Sequence, residues 1–181
     1  MSRINQIERD SANHEQRELF DAIQGQLGMV PNFLKVFANS PTALRAFLGL
    51  HGIAAEGSLD PQTRERIALA VAQKNECQYC VSAHTAIGRK AGLNAAEIEA
   101  NRAGTSQDAK ASAAVKFAGE LVEHNGAVTT AELLAVRNAG HSESDIVEII
   151  THVGMNILTN ILAKASRVEI DFPKVELQQA S

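Results

Sequence analysis

Apolar residues recur along this chain at helical spacing. Leu19, Ile23 and Leu27 form one stripe, and their steps of four residues predict an amphipathic helix over 14–28. Start and stop signals delimit the later segments, and they predict further helices over 41–56, 61–74, 77–92, a short stretch after Asn94, 107–124, 129–140 and 142–166. Residues 32–38 form a short apolar segment. Nothing shows the sustained alternation and hairpin turns of β-strands, so the pattern predicts an all-α fold.

Local signals mark where several of these helices begin. A polar residue followed by proline stands at 40–41 and at 60–61, and proline suits the first position of a helix. A potential N-cap residue precedes a glutamate by three positions at Asn94 with Glu97 and again at 129–132, which is the spacing of a capping box. Beyond the last helix, the proline-containing tail from 171 onward predicts an extended arm.

The composition agrees with closely packed helices in one domain. Of the 181 residues, 45% are hydrophobic but only 4% are aromatic, and tryptophan is absent. The apolar content is therefore mostly Ala, Leu, Ile and Val, which favours helices over an aromatic-rich sandwich. We expect one compact all-helical domain over 1–181, with core helices over 61–104 and a long C-terminal helix and arm over 142–181.

Charge and hydropathy narrow the class of partner. The formal net charge is −4 at pH 7, and without a strongly basic face we expect no nucleic acid partner. The polar N-terminus lacks the apolar centre of a signal peptide. No apolar run approaches the roughly 18 residues of a membrane span, so we expect a cytoplasmic protein that does not enter a membrane. In that compartment two neighbouring cysteines are more often catalytic or metal-binding than structural.

The most informative stretch combines two cysteines and a histidine. Cys77 and Cys80 are three residues apart, and Cys80 and His84 are four apart, so on a helix all three lie on one face. A cysteine pair at a helix start can close a disulfide, and the free N–H groups there stabilise a thiolate. The imidazole can take the thiol proton, and the second thiol can convert a sulfenic acid to a disulfide. These groups suit reduction of a peroxide or exchange of a disulfide.

Two other interpretations of the motif stay open. The cysteines can be small core residues, although the aligned histidine disfavours this. Zinc can bind two cysteines and a histidine with a fourth ligand from elsewhere, but there is no second CxxC pair, and the other histidines are scattered, at His14, His51, His124, His141 and His152. A thioredoxin fold is excluded because its CxxC pair follows a β-strand. We expect no cofactor other than the redox-active cysteine pair itself, and no metal.

At these residues the chain resembles the alkylhydroperoxidase D and carboxymuconolactone decarboxylase superfamily. The shared pattern is a glutamate on the preceding helix followed by C-x-x-C-x-x-x-H, here Glu65, Cys77, Cys80 and His84. Tyr79 stands at a position that holds histidine in some members and tyrosine in many others. The likeness is strongest over 61–104 and reaches more loosely into most of the chain.

The resemblance implies an all-α trimer or hexamer that reduces hydroperoxides with electrons from a dithiol or a reducing protein. It makes Cys80 the peroxidatic cysteine, Cys77 the resolving one, and His84 a base that shares a proton relay with Glu65. Tyr79 either takes part in the relay or packs under the motif. The helix N-terminus alone favours the thiolate at Cys77, but a base one turn from Cys80 can outweigh a dipole effect of about 0.3–1 kcal/mol.

Three functions compete for this sequence. The first is a thiol-dependent peroxidase, an oxidoreductase that works through the Cys77–Cys80 pair. The second is a redox-sensing oligomer that exchanges disulfides with a partner without peroxidase turnover. The third is a decarboxylase-type lyase with Glu65 and His84 as its acid–base pair, and retention of both cysteines argues against it. We therefore predict a peroxidase whose partners are a hydroperoxide, a dithiol reductant and further copies of the chain.

Overall fold

Nine α-helices and no β-strand make up the part of the chain that the computed structural model describes, residues 2–178. After a short 3-10 helix at Arg9–Ser11, the helices are α1 His14–Leu27, α2 Asn32–Phe37, α3 Pro41–Ala54, α4 Pro61–Lys74, α5 Gln78–Lys90, α6 Ala95–Arg102, α7 Ala109–Glu123, α8 Thr130–Asn138 and α9 Glu143–Ser166. The prediction of an all-α fold is confirmed. Residues 1 and 179–181 of the predicted domain lie outside the described residues.

Side-chain caps set most of the helix starts. Asp60 accepts a hydrogen bond from the N–H of Thr63 at 3.0 Å, and Thr129 opens α8 with a complete capping box, as predicted. The capping box predicted at Asn94 is wrong in one half. Asn94 accepts from the N–H of Glu97 at 2.8 Å, but the Glu97 carboxylate turns inward, where it accepts from Nε of the largely buried Arg66 at 2.7 Å.

Helix α4 lies at the centre of the fold and packs against α5, α6, α7 and α9. Its residues 67–72 are all buried, which requires an apolar surface on every side of the helix. The largest core cluster joins α4 to α7 and α9 through Ile67, Phe117 and Ile149 among others. Burying each large side chain of this kind contributes about 1.5–3 kcal/mol, so α4 is a rigid support for whatever side chains project from its ends.

The last helix is more apolar than the sequence pattern predicts. No long run of consecutive apolar residues exists, but α9 is long and apolar enough to cross a membrane by length and composition alone, with a mean hydropathy of 1.5 in its most apolar stretch. Within the chain, 44% of that stretch is buried. Helix α9 packs against α3, α4, α5 and α7, as the core helix of a folded domain does.

The C-terminal tail forms the predicted extended arm, which lies across α5. The N–H of Val175 donates to the hydroxyl of Ser82 at 3.0 Å, and the guanidinium of Arg102 donates to the carbonyl of Glu176 at 2.5 Å. The ring of Phe172 and other apolar arm residues pack on the cluster that contains the two cysteines. The arm therefore covers one side of the CxxC motif.

Candidate active site

A tight turn between α4 and α5 places the first cysteine. The N–H of Cys77 donates to the carbonyl of Ala72 at 2.9 Å, and Glu76 between the two helices has a left-handed φ of 52°. Glycine usually occupies this position of a helix end, and a residue with a side chain costs about 1–2 kcal/mol there. The turn reverses the chain at once, so Cys77 becomes the N-cap of α5.

The two cysteines meet in the first turn of α5, where they form a disulfide with a Cα–Cα distance of 5.3 Å. The N–H of Cys80 also points at the Cys77 sulfur, 3.4 Å away. Cys77 is 1% exposed and Cys80 is 4% exposed. The structure thus brings together the pair that the sequence singled out, at a helix N-terminus and almost out of contact with solvent.

Glu65 and His84 face each other across the contact between α4 and α5. The imidazole Nδ1 lies 2.8 Å from the Glu65 carboxylate, and both side chains are partly exposed, by 16% for Glu65 and 20% for His84. A carboxylate can only accept, so Nδ1 carries the hydrogen of this bond. In the neutral imidazole, Nε2 then holds the free lone pair and is the basic nitrogen.

Tyr79 is bonded to the arm. Its hydroxyl donates to Asp171 at 2.8 Å and accepts from the N–H of Phe33 at 3.4 Å, and its ring packs edge-on against Phe33 and Phe172. Burial, and then the Asp171 carboxylate, raise the pKa of the Tyr79 phenol. The packing that the sequence allowed is therefore present, whereas a part for Tyr79 in the proton relay stays a prediction.

One of the histidines that are scattered along the sequence, His51, lies within electrostatic range of the Glu65–His84 pair. His51 on α3 loses part of its hydration to the surrounding protein, which lowers the pKa of its imidazole, and the charges of His84 and Arg64 lower this pKa further. The Glu65 carboxylate acts in the opposite sense. His51 therefore responds to both members of the Glu65–His84 pair. No local sequence pattern predicts this position of His51, because only the packing of α3 brings it close to Glu65 and His84.

The structure limits the zinc interpretation to the reduced form of the cysteine pair. The sulfurs of Cys77 and Cys80 are bonded to each other, and metal ligation requires thiolates, so it applies only to the reduced pair. Elsewhere, Glu120, His124 and Glu132 bring their ligand atoms within 4.8 Å of one another. That group lies at the ends of α7 and α8, outside the helices that carry the motif.

Comparisons with known families agree with the motif. The model of the carboxymuconolactone decarboxylase family matches residues 41–120, which include α4, α5 and all five predicted site residues. An uncharacterized protein of Haemophilus influenzae is 53% identical over 45 residues. That match spans 24% of this chain and 40% of the relative, so the chain matches less than half the length of its curated relative.

Solved structures share the fold over nearly the whole chain. A peroxidase-related protein from a Silicibacter species is 27% identical with a TM-score of 0.83, over 93% of this chain and 91% of its own. A peroxidase-related protein with an alkylhydroperoxidase AhpD core, from Ralstonia eutropha, is 25% identical with a TM-score of 0.85, over 94% and 92%. The debrominase Bmp8, solved with 2,3,4-tribromopyrrole, is 19% identical with a TM-score of 0.79, over 93% and 91%, and this likeness shows the fold alone.

Proposed function

Because the chain belongs to the superfamily of alkylhydroperoxidase D and carboxymuconolactone decarboxylase, we propose that it is a thiol-dependent peroxidase that reduces hydroperoxides through Cys77 and Cys80. The observation that carries this proposal is the combination of a cysteine pair able to bond in the first turn of α5 with a carboxylate–imidazole pair one turn further on, at 2.8 Å. A nucleophile, a resolving thiol and a base are the groups that the reaction needs.

In the first step the reduced Cys80 thiol gives its proton to Nε2 of His84, and the thiolate attacks the terminal oxygen of the hydroperoxide. The O–O bond breaks, a sulfenic acid forms on Cys80, and the departing alkoxide takes a proton from the imidazolium and leaves as an alcohol. Glu65 holds Nδ1 and stabilises the imidazolium between these two transfers. One oxygen atom has moved to sulfur, and sulfur has lost two electrons.

In the second step the Cys77 thiolate attacks the sulfenic acid sulfur, a disulfide forms, and the hydroxyl leaves as water after taking up a proton. The position of Cys77 at the N-cap of α5 suits this role, since its sulfur receives the N–H of Cys80 and helix N-termini stabilise thiolates. A dithiol then returns both sulfurs to thiols by exchange and becomes a disulfide itself. The peroxide is thereby reduced to alcohol and water by two electrons from the dithiol.

Burial of the cysteines favours a small oxidant over a protein disulfide. With exposures of 1% and 4%, the sulfurs are beyond the reach of a folded partner unless the arm moves. A hydroperoxide, in contrast, needs only a narrow opening. The burial of the sulfurs therefore favours a peroxidase over a disulfide-exchange sensor. The bonded cysteines favour a peroxidase over a lyase, for which Glu65 and His84 alone would suffice.

Steady-state peroxide consumption tests the proposal. Purified protein is supplied with hydrogen peroxide or an organic hydroperoxide and with a panel of dithiols that includes dihydrolipoamide, and the Cys80→Ser variant is the matched control. We expect turnover with at least one dithiol and none in the control. Stoichiometric disulfide formation without turnover would indicate the sensor, and a thiol titre unchanged by peroxide would indicate the lyase.

A further inference from the structure

A row of apolar positions points outward from α9. The exposed positions between 146 and 163, which we call the α9 stripe, are Val147, Ile150, Gly154, Leu158 and Ile161. The four side chains are 44–62% exposed, and none of the five residues is charged or polar. The outer face of a helix normally carries charged and polar residues, and a contiguous exposed apolar patch marks a contact surface.

The α9 stripe is symmetric about its central glycine. Val147 and Ile161 each lie seven residues from Gly154. Ile150 and Leu158 each lie four residues from it. When two copies of a helix cross antiparallel at their midpoints, each residue faces the one equally far on the other side of the crossing. Val147 then meets the partner's Ile161, and Ile150 meets the partner's Leu158.

The centre and the ends of the α9 stripe also suit an antiparallel crossing of two α9 helices. A Cβ at Gly154 would meet no atom of another helix within 4 Å, so the midpoint is open, and a glycine there lets two backbones approach closely. At the ends, α9 has acidic residues in its first turn and Lys164 in its last. An antiparallel pair places these opposite charges, and the opposite ends of the helix dipoles, side by side.

We propose that the α9 stripe binds the α9 stripe of a second copy of this chain through a two-fold, antiparallel contact. Helix α3, which packs on α9, also exposes two large apolar side chains, Leu50 at 41% and Ile53 at 72%. A two-fold contact buries the same patch on both copies. It therefore produces a dimer, or a hexamer of paired trimers, rather than a lone trimer, and it does not depend on the peroxidase activity.

Disulfide cross-linking tests the geometry directly. Val147 and Ile161 are replaced by cysteine, singly and together, in a chain that already carries Cys77→Ser and Cys80→Ser. Within one chain the two positions are about 21 Å apart along the helix, at a rise of 1.5 Å per residue, so they cannot bond to each other. We expect the double variant to form covalent dimers on oxidation and neither single variant to do so. A ladder of larger species, or monomers only, would overturn the two-fold contact.

Light scattering at micromolar concentration supplies the second readout. The unmodified protein should form an oligomer with an even number of copies. The oligomer of the Val147→Asp/Ile161→Asp variant should have half that mass, while the variant keeps its helical circular dichroism. The matched control is Leu134→Asp on α8, which is also exposed but lies outside the stripe, and which should leave the mass unchanged. A monomeric unmodified chain, or one that sediments with phosphatidylglycerol vesicles through the same residues, would refute the proposal.

Discussion

Two neighbouring residues of α4, Glu65 and Arg66, each bond to a side chain of another helix, and the two pairs differ in burial and in the number of hydrogen bonds around the carboxylate. Glu65 bonds to His84 on the side of α4 that faces the cysteines. Arg66 bonds to Glu97 on the side that faces α6, where Nε lies 2.7 Å from the carboxylate. The first pair remains partly open to solvent, whereas Glu97 is only 3% exposed.

The number of hydrogen-bond donors around each carboxylate explains the difference in role. Burial raises the pKa of Glu97, but hydrogen bonds from Ser106, Asn101, the N–H of Gln107 and Arg66 outweigh it and lower the pKa to about 2. In the described residues Glu65 makes one hydrogen bond, to His84. A carboxylate held by four donors fixes α6 and the following loop to α4 and cannot exchange protons near pH 7. The Glu65 carboxylate, in contrast, is bonded to the imidazole that the proposed mechanism uses as its base.

The largest expected effect is loss of the nucleophile on the Glu65 side. Cys80→Ser should abolish peroxide consumption, because the attacking sulfur is gone. Cys77→Ser should still permit one oxidation and trap a sulfenic acid on Cys80, since no resolving thiol remains. Dimedone labelling followed by mass spectrometry after one equivalent of peroxide distinguishes them. A label on Cys77 in the Cys80→Ser protein, with none ever on Cys80, would reverse the two roles.

Next in size is the loss of the base. His84→Ala should lower kcat/KM for peroxide by on the order of 10²-fold at neutral pH, the contribution usual for a general base. The deficit should shrink as pH rises toward the ordinary thiol pKa of about 8.5, because the thiol then ionises unaided. The measurement is kcat/KM against pH for both proteins. A deficit that is constant over this range would indicate a structural role for His84 instead.

On the other side of α4 the expected effect is on stability. Glu97→Gln leaves Arg66 without its anionic partner and should lower the free energy of unfolding by about 2–4 kcal/mol. Because the folded pKa of Glu97, about 2, lies below its ordinary 4.5, its contribution is fully present above pH 4.5 and is lost as pH falls toward 2.

Urea unfolding of both proteins between pH 2 and 7 measures this difference, which should narrow at the acid end. Glu99→Gln on the same helix is the control. Its carboxylate is largely exposed in a pair with Arg102, and removing such a pair should change stability by about 1 kcal/mol or less. Equal losses in the two variants would mean that the buried network around Glu97 contributes nothing beyond a surface pair.

The smallest expected effect belongs to Tyr79→Phe. It removes the hydrogen bond to Asp171 and keeps the ring between its two aromatic neighbours, so it should cost about 1–2 kcal/mol of stability and change kcat/KM by no more than a few-fold. Activity and unfolding are measured on the same samples. A large fall in kcat with a displaced pH profile would instead put Tyr79 in the relay.

The sequence predicted what local chemistry determines. Helix starts depend on side chains a few residues apart, so the starts at Asp60, Thr129 and Ser142 were located to within a residue. The i, i+3 and i, i+4 spacing of the motif likewise predicted that the two cysteines and His84 share one face. Glu65 was placed by resemblance, and the structure sets it against His84.

What the sequence missed depends on tertiary packing. Glu97 had the spacing of a capping box, but Arg66, 31 residues earlier in the chain, bonds to its carboxylate, and no local pattern reveals that arginine as a partner. His51 lies 33 residues before His84, and only the packing of α3 brings it within electrostatic range of the Glu65–His84 pair. The bond from Tyr79 to Asp171 spans 92 residues, so a local pattern could predict the arm but not what it covers.

The rate at which peroxide oxidises the reduced protein tests the central contrast most directly. Reduced protein at pH 7 is mixed with peroxide, and quenched-flow mass spectrometry follows formation of the Cys77–Cys80 disulfide as the loss of two hydrogens. The three proteins compared are the unmodified chain, Glu65→Gln and Glu97→Gln. We predict a loss on the order of 10²-fold in Glu65→Gln and an unchanged rate in folded Glu97→Gln. Equal rates for Glu65→Gln and the unmodified chain, or equal losses in both variants, would contradict the assignment of chemistry to one side of α4 and structure to the other.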